Sequence, residues 1–221
     1  MPIRASSFSP APSAALLASP AIAVLRAKHA QDYFPVVEVL AATGVRSIEL
    51  TLSTPGTIGL LRHLRSVIPR ELDLGVGTIT DAAQAQEAID AGADFLVTPT
   101  TNLAVIELAL TRQIPIFPGG LTPTELFQGW TAGATAVKIF PAATVGVDYL
   151  SHLRGPFPDI QVIPSGGVGL DDALEWLRAG ALAVSIGGPL IGDAFRGGSL
   201  AALEVRSRLV LDMLNTARSE K

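Results

Sequence analysis

Lys138 stands inside an apolar run, Ala136-Val137-Lys138-Ile139-Phe140-Pro141. A lysine in the middle of a buried strand is costly unless it is paired or does chemistry. Burial favours an uncharged amine, and an uncharged amine is the nucleophile that adds to a ketone to give a Schiff base. Glu49, in Ser47-Ile48-Glu49-Leu50-Thr51, is a second ionisable group set among apolar residues. One carboxyl beside such a lysine can act first as acid and then as base. Two Gly-Gly pairs, Gly166-Gly167 and Gly187-Gly188, add a third element. Glycine lets backbone N–H groups close on an anion such as phosphate. Plainer readings stand beside each of these. Glu49 and Lys138 could form a buried ion pair, which often gains little over apolar packing, and Gly-Gly pairs also make ordinary tight turns.

These residues need a scaffold that brings them together. Short apolar runs at 21–26, 46–50, 72–76, 94–97, 114–117, 136–139, 161–163 and 183–186 read as strands. Helical patterns lie between and after them, at 31–43, 56–67, 80–91, 102–112, 122–131, 146–153, 170–179 and 198–217. The strands start about 20–26 residues apart, the length of a βα unit. Thr80 and Thr122 are placed as helix N-caps, with Pro123 at the first helical position. Gly44, Gly92, Gly133 and Gly180 end helices, the last three inside a recurring Ala-Gly-Ala joint.

Eight consecutive βα units predict an α/β fold, a single-domain (β/α)8 TIM barrel. An open doubly wound sheet would carry a glycine-rich turn after its first strand. Here that strand runs into Leu25-Arg26-Ala27. In a barrel the site lies at the C-terminal strand ends. Those ends supply Arg26, Glu49 and Thr51, Thr78, Pro99, Lys138 and Phe140, Ser165 to Gly167, and Gly187 with Gly188. Strand alternation puts Ser47, Glu49 and Thr51 on one face and Ile48, Leu50 and Leu52 on the other. It likewise sets Ala136, Lys138 and Phe140 opposite Val137 and Ile139, so Glu49 and Lys138 can both point into the barrel.

The bulk properties narrow the partners. The chain has 221 residues, 48% of them hydrophobic and 16% charged, with no cysteine. That composition supports one domain with a large core. It excludes disulfides, thiolate catalysis and cysteine-bound metal, and it is in keeping with a cytoplasmic protein. His29, His63 and His152 are too scattered to read as metal ligands. A formal net charge of −4 without a basic cluster argues against nucleic acid or a membrane surface as partner. No apolar run is long enough to span a membrane. Residues 1–20, rich in Ser, Ala and Pro, read as a flexible tail preceding a domain at 21–221. Pro10, Pro12 and Pro20 interrupt any signal-peptide core.

With the strand ends in view, the chain resembles the 2-keto-3-deoxy-6-phosphogluconate and 2-dehydro-3-deoxy-6-phosphogalactonate aldolases, which are class I pyruvate aldolases. The matching strings are Ala-Val-Leu-Arg (23–26), Ile-Glu-Leu-Thr-Leu (48–52), Gly-Val-Gly-Thr (75–78), Val-Thr-Pro (97–99) and Pro-Gly (118–119). They continue as Leu-Thr-Pro-Thr-Glu-Leu (121–126), Val-Lys-Ile-Phe-Pro (137–141), Gly-Pro-Phe-Pro (155–158), Pro-Ser-Gly-Gly-Val (164–168) and Ile-Gly-Gly (186–188). The resemblance runs from about residue 20 to the end and keeps order and spacing.

It implies that Lys138 forms the Schiff base and that Glu49 is the general acid and base. It also implies that Arg26 and Thr78 face the pyruvyl carboxylate, with Phe140 beside the lysine. Gly166, Gly167, Gly187 and Gly188 become phosphate-binding turns. Thr51, Pro99 and Ser165, from their places at the strand ends, complete the predicted substrate-binding set. The implied substrate is a sugar-acid phosphate cleaved to pyruvate and glyceraldehyde 3-phosphate. The implied assembly is a homotrimer that needs neither metal nor other cofactor. Three positions depart from the pattern. Ser53 stands where Arg or Asn is frequent, Ser165 where Thr is usual, and Pro189 where the turn commonly has serine. Proline contributes neither N–H nor hydroxyl. The alternative in another class is a phosphosugar-binding barrel, an epimerase or a ligand sensor, in which Lys138 only neutralises an anion.

Overall fold

A computed structural model describes residues 9–219. Its strands are β1 (Ala21–Leu25), β2 (Ser47–Thr51), β3 (Asp73–Gly77), β4 (Leu96–Val97), β5 (Ile116–Phe117), β6 (Gly119–Gly120), β7 (Val137–Ile139), β8 (Val162–Pro164) and β9 (Val184–Ile186). Every pairing among them is parallel. One sheet runs β5-β4-β3-β2-β1-β9 and a second runs β6-β7-β8. Where the sequence predicts one fifth strand there are two short ones, because Pro118 lies between them. Proline has no N–H to give a ladder, yet its carbonyl still accepts from Lys138 N–H at 2.8 Å. An isolated parallel bridge, Ser165 with Ser185, joins the two sheets on their other side.

Helices α1 (Ala14–Ala18), α2 (Tyr33–Thr43), α3 (Thr57–Val67), α4 (Ala82–Asp90), α5 (Leu103–Thr111), α6 (Pro123–Thr131), α7 (Asp148–Arg154), α8 (Leu170–Arg178), α9 (Gly188–Ile191) and α10 (Leu200–Ser219) surround the strands. Thr122 and Glu125 form a reciprocal capping box on α6 with Pro123 at the first position, as the sequence predicts. On α4 the cap moves by one residue. Asp81 rather than Thr80 accepts the Gln84 N–H, at 2.9 Å, while Thr80 bonds the Gln84 side chain. Gly92, Gly133 and Gly180 take φ of 95°, 105° and 100°, so each Ala-Gly-Ala joint turns through a left-handed glycine. No helix among the described residues is long and apolar enough to cross a membrane.

Alternation along the strands sorts the core into two layers. Ile48, Leu50, Leu74, Val76, Leu96, Ile116, Val137, Ile139, Val162, Val184 and Ile186 pack with the helices in one large cluster. Ile22, Phe95, Val97, Phe117, Ala136, Ile163 and Ala183 form a second cluster on the opposite, concave face. Leu16 of α1 belongs to that inner cluster and is 3% exposed. The sequence reading assigns residues up to 20 to a flexible tail; from Ser13 onward they are part of the fold. Ser13 caps α1 by accepting the Leu16 N–H at 3.0 Å and donates its hydroxyl to the Asp73 carboxylate. A five-residue helix with two adjacent leucines, of which only Leu16 is buried, has little periodicity to reveal it, so only its docking makes it visible. The earlier part of that predicted tail, residues 1–8, lies outside the described residues.

Candidate active site

Lys138 is the middle residue of β7, in register with Gly119 on one side and Ile163 on the other. Its side chain emerges on the concave face, between the outward Val137 and Ile139, and the residue is 7% exposed. The Nζ atom sits 4.9 Å from the centroid of the Phe140 ring, within cation–π reach. Glu49 is the middle residue of β2, in register with Val24 and Gly75, and is 1% exposed. Its Oε2 meets no hydrogen-bond donor.

Among the described residues no ion pair within 4.0 Å and no hydrogen bond links Glu49 to Lys138. The buried ion pair that would have explained both residues structurally is therefore not made. Two costly polar groups are instead held buried, unpaired with each other, over a cavity of about 830 Å³ that both line.

Gly77, the last residue of β3, is what lets Glu49 lie there. A Cβ at Gly77 would overlap Glu49 Oε1 and Cδ and stand 2.6 Å from Cγ. Nothing in the local sequence around Gly77 predicts this role. Thr78, which follows it, takes φ 63°. Left-handed backbone at a β-branched residue costs about 1–3 kcal/mol and is tolerated where the surroundings impose it. The strained residue lines the cavity, as the sequence predicts for Thr78.

Arg26, Pro99, Phe140, Ser165, Gly166, Gly167, Gly187 and Gly188 also line it. Thr51 does not. Its hydroxyl donates to the Leu25 carbonyl at 3.0 Å and lies 3.0 Å from Ser53 Oγ, so Thr51 ties β2 to β1. The expectation that it binds substrate came from its sharing a face with Glu49; at the strand end the side chain is used by its neighbour's backbone. Lys28, Ser185, Pro189, Phe195 and Arg196 line the cavity without having been singled out as binding residues. Alternation from Ala183 could have pointed to Ser185. Arg196 belongs to a 3-10 turn, Ala194–Arg196, with no signature in the sequence.

The two Gly-Gly turns, alike in sequence, differ physically. Gly166 and Gly167 have φ of 83° and 73°, and a Cβ would come 2.9 Å from the Phe140 ring or 2.6 Å from Ala143 Cβ. The N–H groups of Gly166, Gly167 and Val168 find no acceptor among the described residues. Successive unpaired N–H groups in such a conformation make an anion-binding concavity. At Gly187 a Cβ would meet only ordinary contacts, and at Gly188 nothing within 4 Å. Pro189 follows as the second residue of α9 and has no N–H to offer.

The comparisons with known proteins agree with this geometry. The family model for KDPG and KHG aldolase matches residues 13–203. A 2-dehydro-3-deoxy-phosphogluconate aldolase of Haemophilus influenzae is 34% identical over 157 residues, 71% of this chain and 74% of the relative. A probable 2-dehydro-3-deoxy-6-phosphogalactonate aldolase of Rhizobium meliloti is 30% identical over 192 residues, 86% of this chain and 88% of the relative. The solved structure of KDPG aldolase from Legionella pneumophila, with pyruvate captured at low pH as a covalent carbinolamine, superposes with a TM-score of 0.80 at 30% identity. It covers 90% of this chain and 96% of the other. With the match spanning nearly the whole described fold, this chain belongs to the KDPG and KHG aldolase family.

Proposed function

We propose that the chain reversibly cleaves a 2-keto-3-deoxy-6-phospho sugar acid, of the gluconate or galactonate type, to pyruvate and glyceraldehyde 3-phosphate, through a Schiff base on Lys138. The observation that carries this reading is the pairing of buried Lys138 with buried Glu49 at one cavity without an ion pair between them. A lysine there is free to act as a nucleophile, and a carboxylate there is free to move protons.

The amine adds to the C2 carbonyl, and the carbinolamine loses water as Glu49 delivers and removes protons through a water molecule. The iminium draws the electrons of the C3–C4 bond while the C4 hydroxyl gives its proton, through the same water, to Glu49. Glyceraldehyde 3-phosphate leaves, and an enamine of pyruvate stays on Lys138. Protonation at C3 and hydrolysis release pyruvate and the free amine. Arg26 and Thr78 hold the carboxylate, Phe140 packs beside the imine, Pro99 and Ser165 line the path, and the β8 turn receives the phosphate. The strands act as a closed (β/α)8 barrel in which β5 and β6 make one stave. The working form is a cytoplasmic homotrimer, with a single domain that includes α1 carrying the chemistry.

Borohydride reduction in the presence of pyruvate, followed by peptide mapping, tests the reading. A pyruvate-derived adduct on Lys138 is expected, together with loss of cleavage in Lys138→Met and in Lys138→Arg. A folded protein that binds sugar phosphates yet forms no adduct would overturn it, and so would full activity in Lys138→Arg.

A further inference from the structure

In a chain of formal net charge −4, the cavity is lined by four basic residues, Arg26, Lys28, Lys138 and Arg196, and one acidic residue, Glu49. A cleft lined by one sign of charge focuses its potential and draws in counter-charged ligands. Lys138 lies on the buried floor, whereas Arg26, Lys28 and Arg196 are exposed at the mouth. Arg26 and Lys28 make no hydrogen bond or ion pair with any described residue. Arg196 donates from Nη2 to the Gly192 carbonyl at 3.3 Å and has no carboxylate partner. Some exposed cations elsewhere find acids, Arg112 with Asp90 and Arg208 with Glu204, each at 3.0 Å, while Arg46, Arg62 and Arg70 find none among the described residues, so it is their place at the cavity that sets Arg26, Lys28 and Arg196 apart.

The topology puts two of these cations on one flank. Lys28 follows β1 and Arg196 follows α9, and β1 and β9 are paired from Ala21 with Val184 to Ala23 with Ile186. The Ser165–Ser185 bridge sets the β8 turn next to β9. The unpaired N–H groups of Gly166 to Val168, the proline-blocked turn at Pro189, Lys28 and Arg196 therefore belong to the same side of the cavity. A substrate bound through C2 at Lys138 keeps its carboxylate, one bond from the imine carbon, within reach of Arg26 and Thr78, and sends the other end of its carbon chain toward the β8 turn.

We propose that Lys28 and Arg196 grip the terminal phosphate of the substrate and set the preference for phosphorylated over unphosphorylated 2-keto-3-deoxy acids, in place of the donors that Pro189 does not supply. The inference rests on the aldolase reading above. A guanidinium offers a phosphate two parallel hydrogen bonds and an ammonium offers a point charge. A neutral terminal hydroxyl gains little from either.

The test uses Lys28→Gln, Arg196→Gln, the double variant and Lys28→Arg. Two quantities are measured. One is kcat/KM on the phosphorylated and unphosphorylated keto-deoxy acids of both configurations. The other is the calorimetric Kd of 6-phosphogluconate, which has no ketone and so cannot form an imine. Each single change to Gln is expected to weaken 6-phosphogluconate and phosphorylated-substrate kcat/KM by about tenfold, and the double by about a hundredfold. Kcat/KM on the unphosphorylated acids is expected to fall by no more than about twofold, and Lys28→Arg to retain most of the binding. The wild-type advantage is expected to shrink as salt screens the exposed cations. A double variant that binds 6-phosphogluconate as the wild type does would overturn the proposal. Equal losses on both kinds of substrate would do the same, since a merely structural role predicts them. If no pyruvate adduct forms on Lys138 the aldolase reading fails, and the 6-phosphogluconate measurement still decides on the two cations.

Discussion

Gly77→Ala asks whether the glycine before the strained Thr78 exists to seat the carboxylate of Glu49. Gly77 lies on an extended strand and does not need positive φ, so alanine imposes no backbone strain. The whole effect comes from the new methyl group. That methyl would stand 2.6 Å from Glu49 Cγ and overlap the carboxylate itself. Ordinary carbon contacts are about 3.5–4.0 Å, so the side chain must retreat by about 1 Å. A misplacement of about 1 Å in a catalytic group costs on the order of 10²-fold in rate. Complete loss of a general acid or base costs about 10²–10⁴-fold.

The expected result is a fall in kcat of about 10²-fold, read by coupling pyruvate release to lactate dehydrogenase. The double variant isolates the cause. If Gly77→Ala acts only through Glu49, then in a Glu49→Gln background it should add less than about threefold, because residues acting as a unit are not additive. Denaturant midpoints for all three variants guard against simple unfolding, since a small-to-large change in a packed site costs about 1–3 kcal/mol. An unchanged kcat in Gly77→Ala would refute the reasoning. A 10²-fold further loss on top of Glu49→Gln would refute it too, because the methyl would then be acting on something other than Glu49.

Leu16→Ala should cost about 2–4 kcal/mol in urea unfolding, the price of removing a buried leucine from the inner cluster it shares with Ile22, Phe95 and Phe117; a loss below about 0.5 kcal/mol would mean α1 is not docked there. Gly59→Ala, on an exposed position of α3 with nothing within 4 Å of the new methyl, should raise stability by about 0.5–1 kcal/mol. Burial raises the Asp73 carboxyl above its ordinary value, against the opposing hydrogen bond from Ser13. A raised folded pKa gives a contribution that is full below the unfolded value near 3.8 and is lost as pH rises through the folded value. Asp73→Asn should therefore gain stability relative to wild type between pH 3.5 and pH 7; an equal difference at both pH values in urea titrations would contradict this.

Much of this site was legible because its chemistry conflicts with its setting. Lys138 and Glu49 are ionisable residues at apolar-strand positions, and the period of two that makes Ile48 and Leu50 core residues also turns Glu49 the other way. Pro118 was equally visible as a residue, but its effect on the ladder depends on which neighbours need its N–H. That is a property of the pairing and not of the local string. Thr51 shows the same limit from the other direction. Facing the site is fixed by alternation, but what the hydroxyl bonds is fixed by the Leu25 carbonyl on the next strand.

Gly77 and Arg196 mark what periodicity leaves out altogether. A glycine whose φ is ordinary advertises no turn, and the reason for it lies in a side chain 28 residues earlier that only the β2–β3 register brings alongside, with Glu49 opposite Gly75. Arg196 closes a 3-10 turn that follows the four-residue α9, and segments that short carry no amphipathic pattern. Both are specified by tertiary neighbours. The two buried ionisable residues proposed to do the bond-making, Lys138 and Glu49, were therefore visible in the sequence. Gly77, which seats the carboxylate, and Lys28 and Arg196, which join Arg26 at the mouth of the cavity, were not. Under the phosphate proposal, the second group is where the donors missing at Pro189 are answered by cations from other loops, with Lys138 and Glu49 left undisturbed.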